Sequence, residues 1–245
     1  MKKLIWILAV LLPVALASCK KETETFNTPA ISDYAPLVQG KYITYRLDST
    51  VFYKNFGTTT DVFTYEVKHL VDDSITDNLG RKAFRIIRYI RKNSTDAWVP
   101  DNTFMAVNTG TSYEFVENNL RFLKLKQPIT NSFTWKGNTY IDTYSQFSTL
   151  KYLEEWDYVY DSVNTAMTLG SFNLPNTIKV DQRDEIIGNP SDPASYSEIN
   201  YSSENYAQGI GLVYRRFLHV EYQPPTSGPG YKLGYGVTMT MTDHN

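Results

Sequence analysis

One thiol, three imidazoles and a scatter of carboxylates are what this 245-residue chain offers for covalent or metal chemistry. The thiol is Cys19, and the imidazoles are His69, His219 and His244. Zinc sites draw on cysteine and histidine at short spacings and calcium loops on aspartates around a glycine, and neither pattern occurs. His219 and Glu221 lie two apart, which on one strand face sets two ligand types side by side. The plainer reading is a surface pair, so no metal site and no cofactor is expected. No Gly-x-Ser-x-Gly elbow or Ser-x-x-Lys appears, and no catalytic residue is assigned. Gly209-Ile210-Gly211 lacks the third glycine and the following helix of a dinucleotide site. Acid-pair hydrolysis leaves less trace, because it needs only two suitably spaced carboxylates. Its best candidates are Glu155 and Asp157 within 152–163 (YLEEWDYVYDSV). Read as a strand, that segment puts Tyr152, Glu154, Trp156, Tyr158 and Tyr160 on one face and Glu155, Asp157 and Asp161 on the other. Trp156, Tyr158 and Tyr160 are thus the candidate ligand-binding rings, a ladder on which sugars could stack; the same ladder would also pack a core with its acids facing water. The basic cluster Arg81, Lys82, Arg85, Arg88, Arg91 and Lys92 splits between two strand faces, which favours cross-strand pairing over a single anion site.

The N-terminus carries the clearest signal. Lys2 and Lys3 precede an apolar run from Leu4 to Leu16, broken only by Pro13. The run is too short to cross a bilayer permanently and has the length of an export signal. It ends in Leu16-Ala17-Ser18-Cys19, which resembles the lipobox of bacterial lipoproteins. The resemblance implies cleavage by signal peptidase II between Ser18 and Cys19 and attachment of a diacylglycerol to the Cys19 thiol. Residues 1–18 would be removed, and the membrane would be a partner through the lipid anchor, each buried methylene contributing about 0.8 kcal/mol. Lys20 is not the aspartate that holds enteric lipoproteins at the inner membrane, so the outer membrane is expected, with its periplasmic and surface faces both open. Residues 19–33 are polar and charged and read as a flexible tether. Their charges resemble the surface-export signal of Bacteroidota lipoproteins.

Something must position whatever the remaining residues do. From Tyr34 to residue 245 a single domain is expected, since no stretch has the composition of an interdomain linker. Apolar residues recur at every second position between Gly, Asn, Asp and Pro clusters, the pattern of strands and turns. Candidate strands cover 41–53, 62–71, 82–91, 103–108, 111–117, 120–125, 152–163, 176–183, 198–206, 210–222 and 231–242, and Asp77-Asn78-Leu79-Gly80 reads as a hairpin turn. Segment 82–91 also fits a helical polar stripe, but its aromatics and isoleucines favour a strand. The fold class expected is all-β and mainly antiparallel: a curved sheet, half-open barrel or sandwich of about ten strands with few helices. Tyr206 to Arg215 (YAQGIGLVYR), with Trp135-Lys136-Gly137-Asn138 upstream, resembles elements of Bacteroidota outer-membrane lipoproteins. Some lipoproteins and lipoprotein carriers with a similar Gly-Ile-Gly-Leu-Val turn and strand form a half-open barrel.

Charge narrows the function classes. The precursor carries −2, and loss of Lys2 and Lys3 leaves 22 basic against 26 acidic residues, −4. That balance argues against a nucleic-acid partner, which would normally need a basic face to neutralise phosphates. A single cysteine means that core packing rather than disulfides stabilises the domain. The expectation is a membrane-anchored envelope lipoprotein with a noncatalytic binding or accessory domain for a glycan, a lipid-like ligand or an envelope protein. The alternative is a carbohydrate-active hydrolase using an acid pair.

Overall fold

A computed structural model describes residues 28–53 and 57–245. Cys19, Ser18, residues 1–18 and most of the tether therefore lie outside the described residues.

The alternation of the sequence becomes one antiparallel sheet of twelve strands among the described residues. After a single helical turn, α1 (Ile31–Tyr34), the strands are β1 (Tyr42–Phe52), β2 (Thr60–Thr76), β3 (Lys82–Arg91), β4 (Val99–Asn108), β5 (Ser112–Glu117) and β6 (Leu120–Lys126). They continue as β7 (Thr134–Lys136), β8 (Asp157–Leu169), β9 (Phe172–Gly188), β10 (Ser197–Ala207), β11 (Gly211–Gln223) and β12 (Tyr231–His244). Two six-strand meanders, β1 to β6 and β7 to β12, are joined by the pairing of β1 with β12, leaving β6 and β7 as the edges.

Those edges meet, so the sheet is a nearly closed barrel. Leu123 N–H donates to Gly137 O at 2.8 Å, and Trp135 Nε1 donates to Leu123 O at 2.7 Å. The Tyr160 hydroxyl bridges the same seam, donating to Lys126 O at 2.8 Å and accepting from Lys126 N at 3.0 Å. Edge groups that would otherwise be unpaired are thereby satisfied. Gly137 is required for this approach, because a Cβ there would sit 2.3 Å from the buried Tyr158 ring.

Alternate residues fill the interior. Ile43, Tyr45 and Leu47 of β1, Val67 and Val71 of β2, Val213 and Phe217 of β11 and Met239 and Met241 of β12 are all buried. Fully burying one such side chain contributes roughly 1.5–3 kcal/mol.

This is the all-β, antiparallel half-open barrel expected, its twelve strands close to the ten or so anticipated, with β7 only three residues long and defined by its pairing with β8. Two expectations need correction. Segment 152–163 is not one strand: Lys151–Leu153 form a 3-10 turn, Glu155 takes a left-handed φ of 54°, and β8 starts at Asp157. Residues 28–33 belong to the fold rather than the tether. Ile31 is buried, Gln127 Nε2 donates to Pro29 O at 2.8 Å, and the Asp33 carboxylate accepts from Ala30 N–H at 2.9 Å. The segment Ile31 to Leu37 packs as a plug on the core, with Tyr34 fully buried and its hydroxyl donating to Asn164 Oδ1 at 2.7 Å.

Candidate functional site

Trp156, Tyr158 and Tyr160 are 2, 1 and 0% exposed, so they form no surface platform for stacking sugars. The left-handed Glu155 turns the chain inward, and all three rings join the main core with Trp135 and Phe217. Their polar atoms are spent internally: Trp156 Nε1 donates to Tyr152 O, and the Tyr158 hydroxyl donates to Asn138 Oδ1. Their glycan-binding assignment is withdrawn on this ground.

Glu155 and Asp157 are exposed and line an open depression on the outer surface with Glu154, Glu185, Glu198 and Glu221. Asp157 is paired with Lys136 at 3.1 Å. His219 lies at the rim of this region, stacked on Tyr152 with ring centroids 3.9 Å apart. Its Nδ1 is 2.8 Å from Asn200 Oδ1, and its Nε2 is 3.6 Å from Glu221. Burial lowers the His219 pKa despite the opposing pull of Glu198 and Glu221, which favours the neutral ring. Among the described residues no group of three or more His, Cys, Asp or Glu is placed to hold a metal ion.

Four of the six basic residues are engaged in ion pairs: Arg85 with Asp72, Arg88 with Asp101 and Arg91 with Glu66 across strands, and Arg81 with Asp77 within the β2–β3 turn and with Glu114 of β5, whereas Lys82 and Lys92 have no ion-pair partner among the described residues.

The arrangement with most chemical content lies inside the barrel. A cavity of about 90 Å³ is bounded by Tyr34 to Leu37 of the plug and by residues of β1, β2, β3, β5, β6, β10, β11 and β12. Much of its lining is apolar, including Ile43, Val71, Ile86, Phe115 and Met239. Five charged residues line it: Lys41, whose ammonium donates to Asn245 O at 2.9 Å, and four that pair with one another. Arg215 makes a bidentate bridge to Glu117 at 2.8 and 2.9 Å, and Lys124 pairs with Glu204 at 2.7 Å. The second Glu204 oxygen accepts from the Tyr206 hydroxyl at 2.7 Å. Burial alone would raise both glutamate pKa values, but Arg215 and Lys124 outweigh it. Glu117 is held down to about 2, and Glu204 is lowered as well. Glu117 and Glu204 thus stay ionised, each held against a cationic side chain, the condition under which buried charge is tolerable.

Beside them, His69 packs edge-on against Tyr45 and Phe104 at 5.1 and 5.3 Å. Burial and the neighbouring Arg88 and Arg215 pull its pKa down to about 3 against the opposing Glu117, so it is neutral. His69 Nε2 and Arg215 Nε are buried without a hydrogen-bond partner in the protein, although Arg215 Nε stands 3.5 Å from Glu204.

Glu117, Lys124, Glu204, Arg215 and His69 were not singled out from sequence. A signal existed: Arg215 shares the inward parity of Val213 and Phe217, and Glu204 that of Ser202 and Tyr206. A charge on the apolar face of an alternating strand is the mark of an interior polar site.

No family model matches this chain, and no curated protein matches it significantly.

Proposed function

We propose that this chain is a lipid-anchored envelope protein, held through Cys19 at the outer membrane, whose barrel is a noncatalytic binding domain for a lipid-like ligand. The observation that carries the reading is the interior cavity, an apolar pocket with a neutralised polar floor and two buried nitrogens without protein partners. Concave, largely apolar sites with a few convergent polar groups are the usual form of ligand pockets. Nothing about the exposed Glu155 and Asp157 favours hydrolysis.

At about 90 Å³ the cavity holds only a small group while the plug is seated, so a chain-like ligand enters by displacing Tyr34 to Leu37. The plug lies next to the anchor in sequence. Nine residue steps lead from Cys19 to Thr28 and reach at most about 32 Å, which keeps this end of the barrel near the bilayer surface.

Filling the cavity tests the reading. Val71 is buried and lines it, so Val71→Phe should weaken binding of the neutral apolar fluorophore N-phenyl-1-naphthylamine at least tenfold. Equal binding by a folded variant would place the ligand elsewhere and refute the proposal.

A further inference from the structure

A second concavity, on the outside of the barrel, has a different chemistry. Outward residues of β12, β1, β2 and β3 and the loop following β3 enclose an open groove of about 760 Å³, a size within the range of small-molecule sites. Four cations line it, Arg46, Lys68, Arg91 and Lys92, against two carboxylates, Glu66 and Asp243. Both carboxylates are engaged: Glu66 accepts from Arg91 Nε at 2.6 Å, and Asp243 accepts from the Tyr42 hydroxyl at 3.0 Å. Arg46 is paired with Asp48. Lys68 and Lys92 have no ion-pair partner among the described residues. The Lys68 ammonium instead faces the rings of Trp98, Tyr89 and Tyr42 at 5.1, 5.2 and 5.9 Å. Rings hold a cation in place without cancelling its charge.

The wall is built rather than adventitious. Arg91 lies 4.2 Å from the Trp98 ring centroid, bridges to Glu66 and donates to Ser94 O at 3.2 Å, which fixes the loop against the sheet. Thr44, Thr64 and Thr242 line the same groove, the Thr64 and Thr242 hydroxyls donating to Asp48 and to Thr44 O. A net positive lining on an otherwise acidic chain, combined with flat rings and hydroxyl oxygens, suits a ring that is itself hydroxylated and negatively charged.

We propose that this groove binds an anionic saccharide, a pyranose bearing carboxylate or sulfate, with Lys68 and Lys92 as its charge contacts. The groove shares only Tyr42 with the interior cavity, and its proposed ligand does not rest on that of the cavity.

The test is titration of the full chain, in a sugar-free polyoxyethylene detergent, with oligogalacturonate, a heparin hexasaccharide and neutral maltohexaose. At least one anionic oligosaccharide should bind tenfold or more tightly than maltohexaose and weaken as salt is raised. The double variant Lys68→Met/Lys92→Gln should lose that preference and most of the salt dependence while melting at the wild-type temperature. Lys136→Gln, on another face, should change nothing. Maltohexaose binding as tightly as the anionic sugars, unchanged binding by the double variant, or tighter binding of a DNA oligonucleotide than of either anionic sugar would overturn the proposal.

Discussion

At the scale of single residues, the interior of this barrel is governed by where charge is permitted. His69 is kept neutral by burial and by two nearby guanidinium groups, with its pKa near 3. The unfolded imidazole titrates near 6.5, so between these values the unfolded chain takes up a proton that the folded chain refuses. The associated stability is present above about pH 6.5 and is lost as pH falls towards 3. Replacing His69 by Phe keeps the ring between Tyr45 and Phe104 and removes the proton site. Urea melts should therefore show wild type losing up to about 2 kcal/mol more than His69→Phe between pH 7 and pH 5. Glu117 does not confuse the comparison, since its depressed pKa places its loss of stability below about pH 4.5, and His219 is common to both proteins. Identical pH slopes would show that His69 takes up its proton as readily in the fold as in the unfolded chain, and would contradict this account. These interior groups were hard to find in the sequence because their partners are remote: Lys124 and Glu204 are 80 residues apart. A lone charged residue in a strand looks the same whether it meets water or a distant counter-charge.

At the scale of elements, strands that bury one face were readable and contacts made across the seam were not. β3 spans 82–91 as expected, with its isoleucines and Phe84 deciding between strand and helix. β12 alternates as expected through Met239 and Met241. The short β7 escaped notice because three residues show no period, whereas the rings Trp156, Tyr158 and Tyr160 pack the core with Glu155, Asp157 and Asp161 facing water, the second of the two readings their alternation allowed, although the strand itself begins only at Asp157. The polar run 28–33 hid a structural plug because one buried Ile31 hardly alters its composition. Seam closure makes its own prediction. A methyl at Gly137 would overlap the Tyr158 ring, which is fully buried and hydrogen-bonded to Asn138. Gly137→Ala should cost about 1–3 kcal/mol, the usual penalty of overpacking. Hydrogen exchange should quicken at the Leu123 amide, which donates to Gly137 O. Unchanged protection there would mean that the edges of the barrel are held together elsewhere.

At the scale of the whole molecule, the proposed anchor at Cys19 would lead within nine residue steps to Thr28 and on to the plug that bounds the cavity, and the outer groove faces away from the barrel interior. This arrangement suits a protein that holds an amphiphilic or apolar molecule close to the membrane from which it came. The lipobox residues lie outside the described structure, so the anchor and the cavity are joined here by chain length alone. Native mass spectrometry of the protein released from its own membranes examines both at once. Wild type should begin at Cys19, carry covalently attached acyl mass and retain a noncovalent lipid-like adduct, while Val71→Phe should carry the same acyl mass without the adduct. A chain that keeps residues 1–18, bears no acyl group and shows no adduct lost in Val71→Phe would contradict the reading of this protein as a lipid-anchored binding barrel.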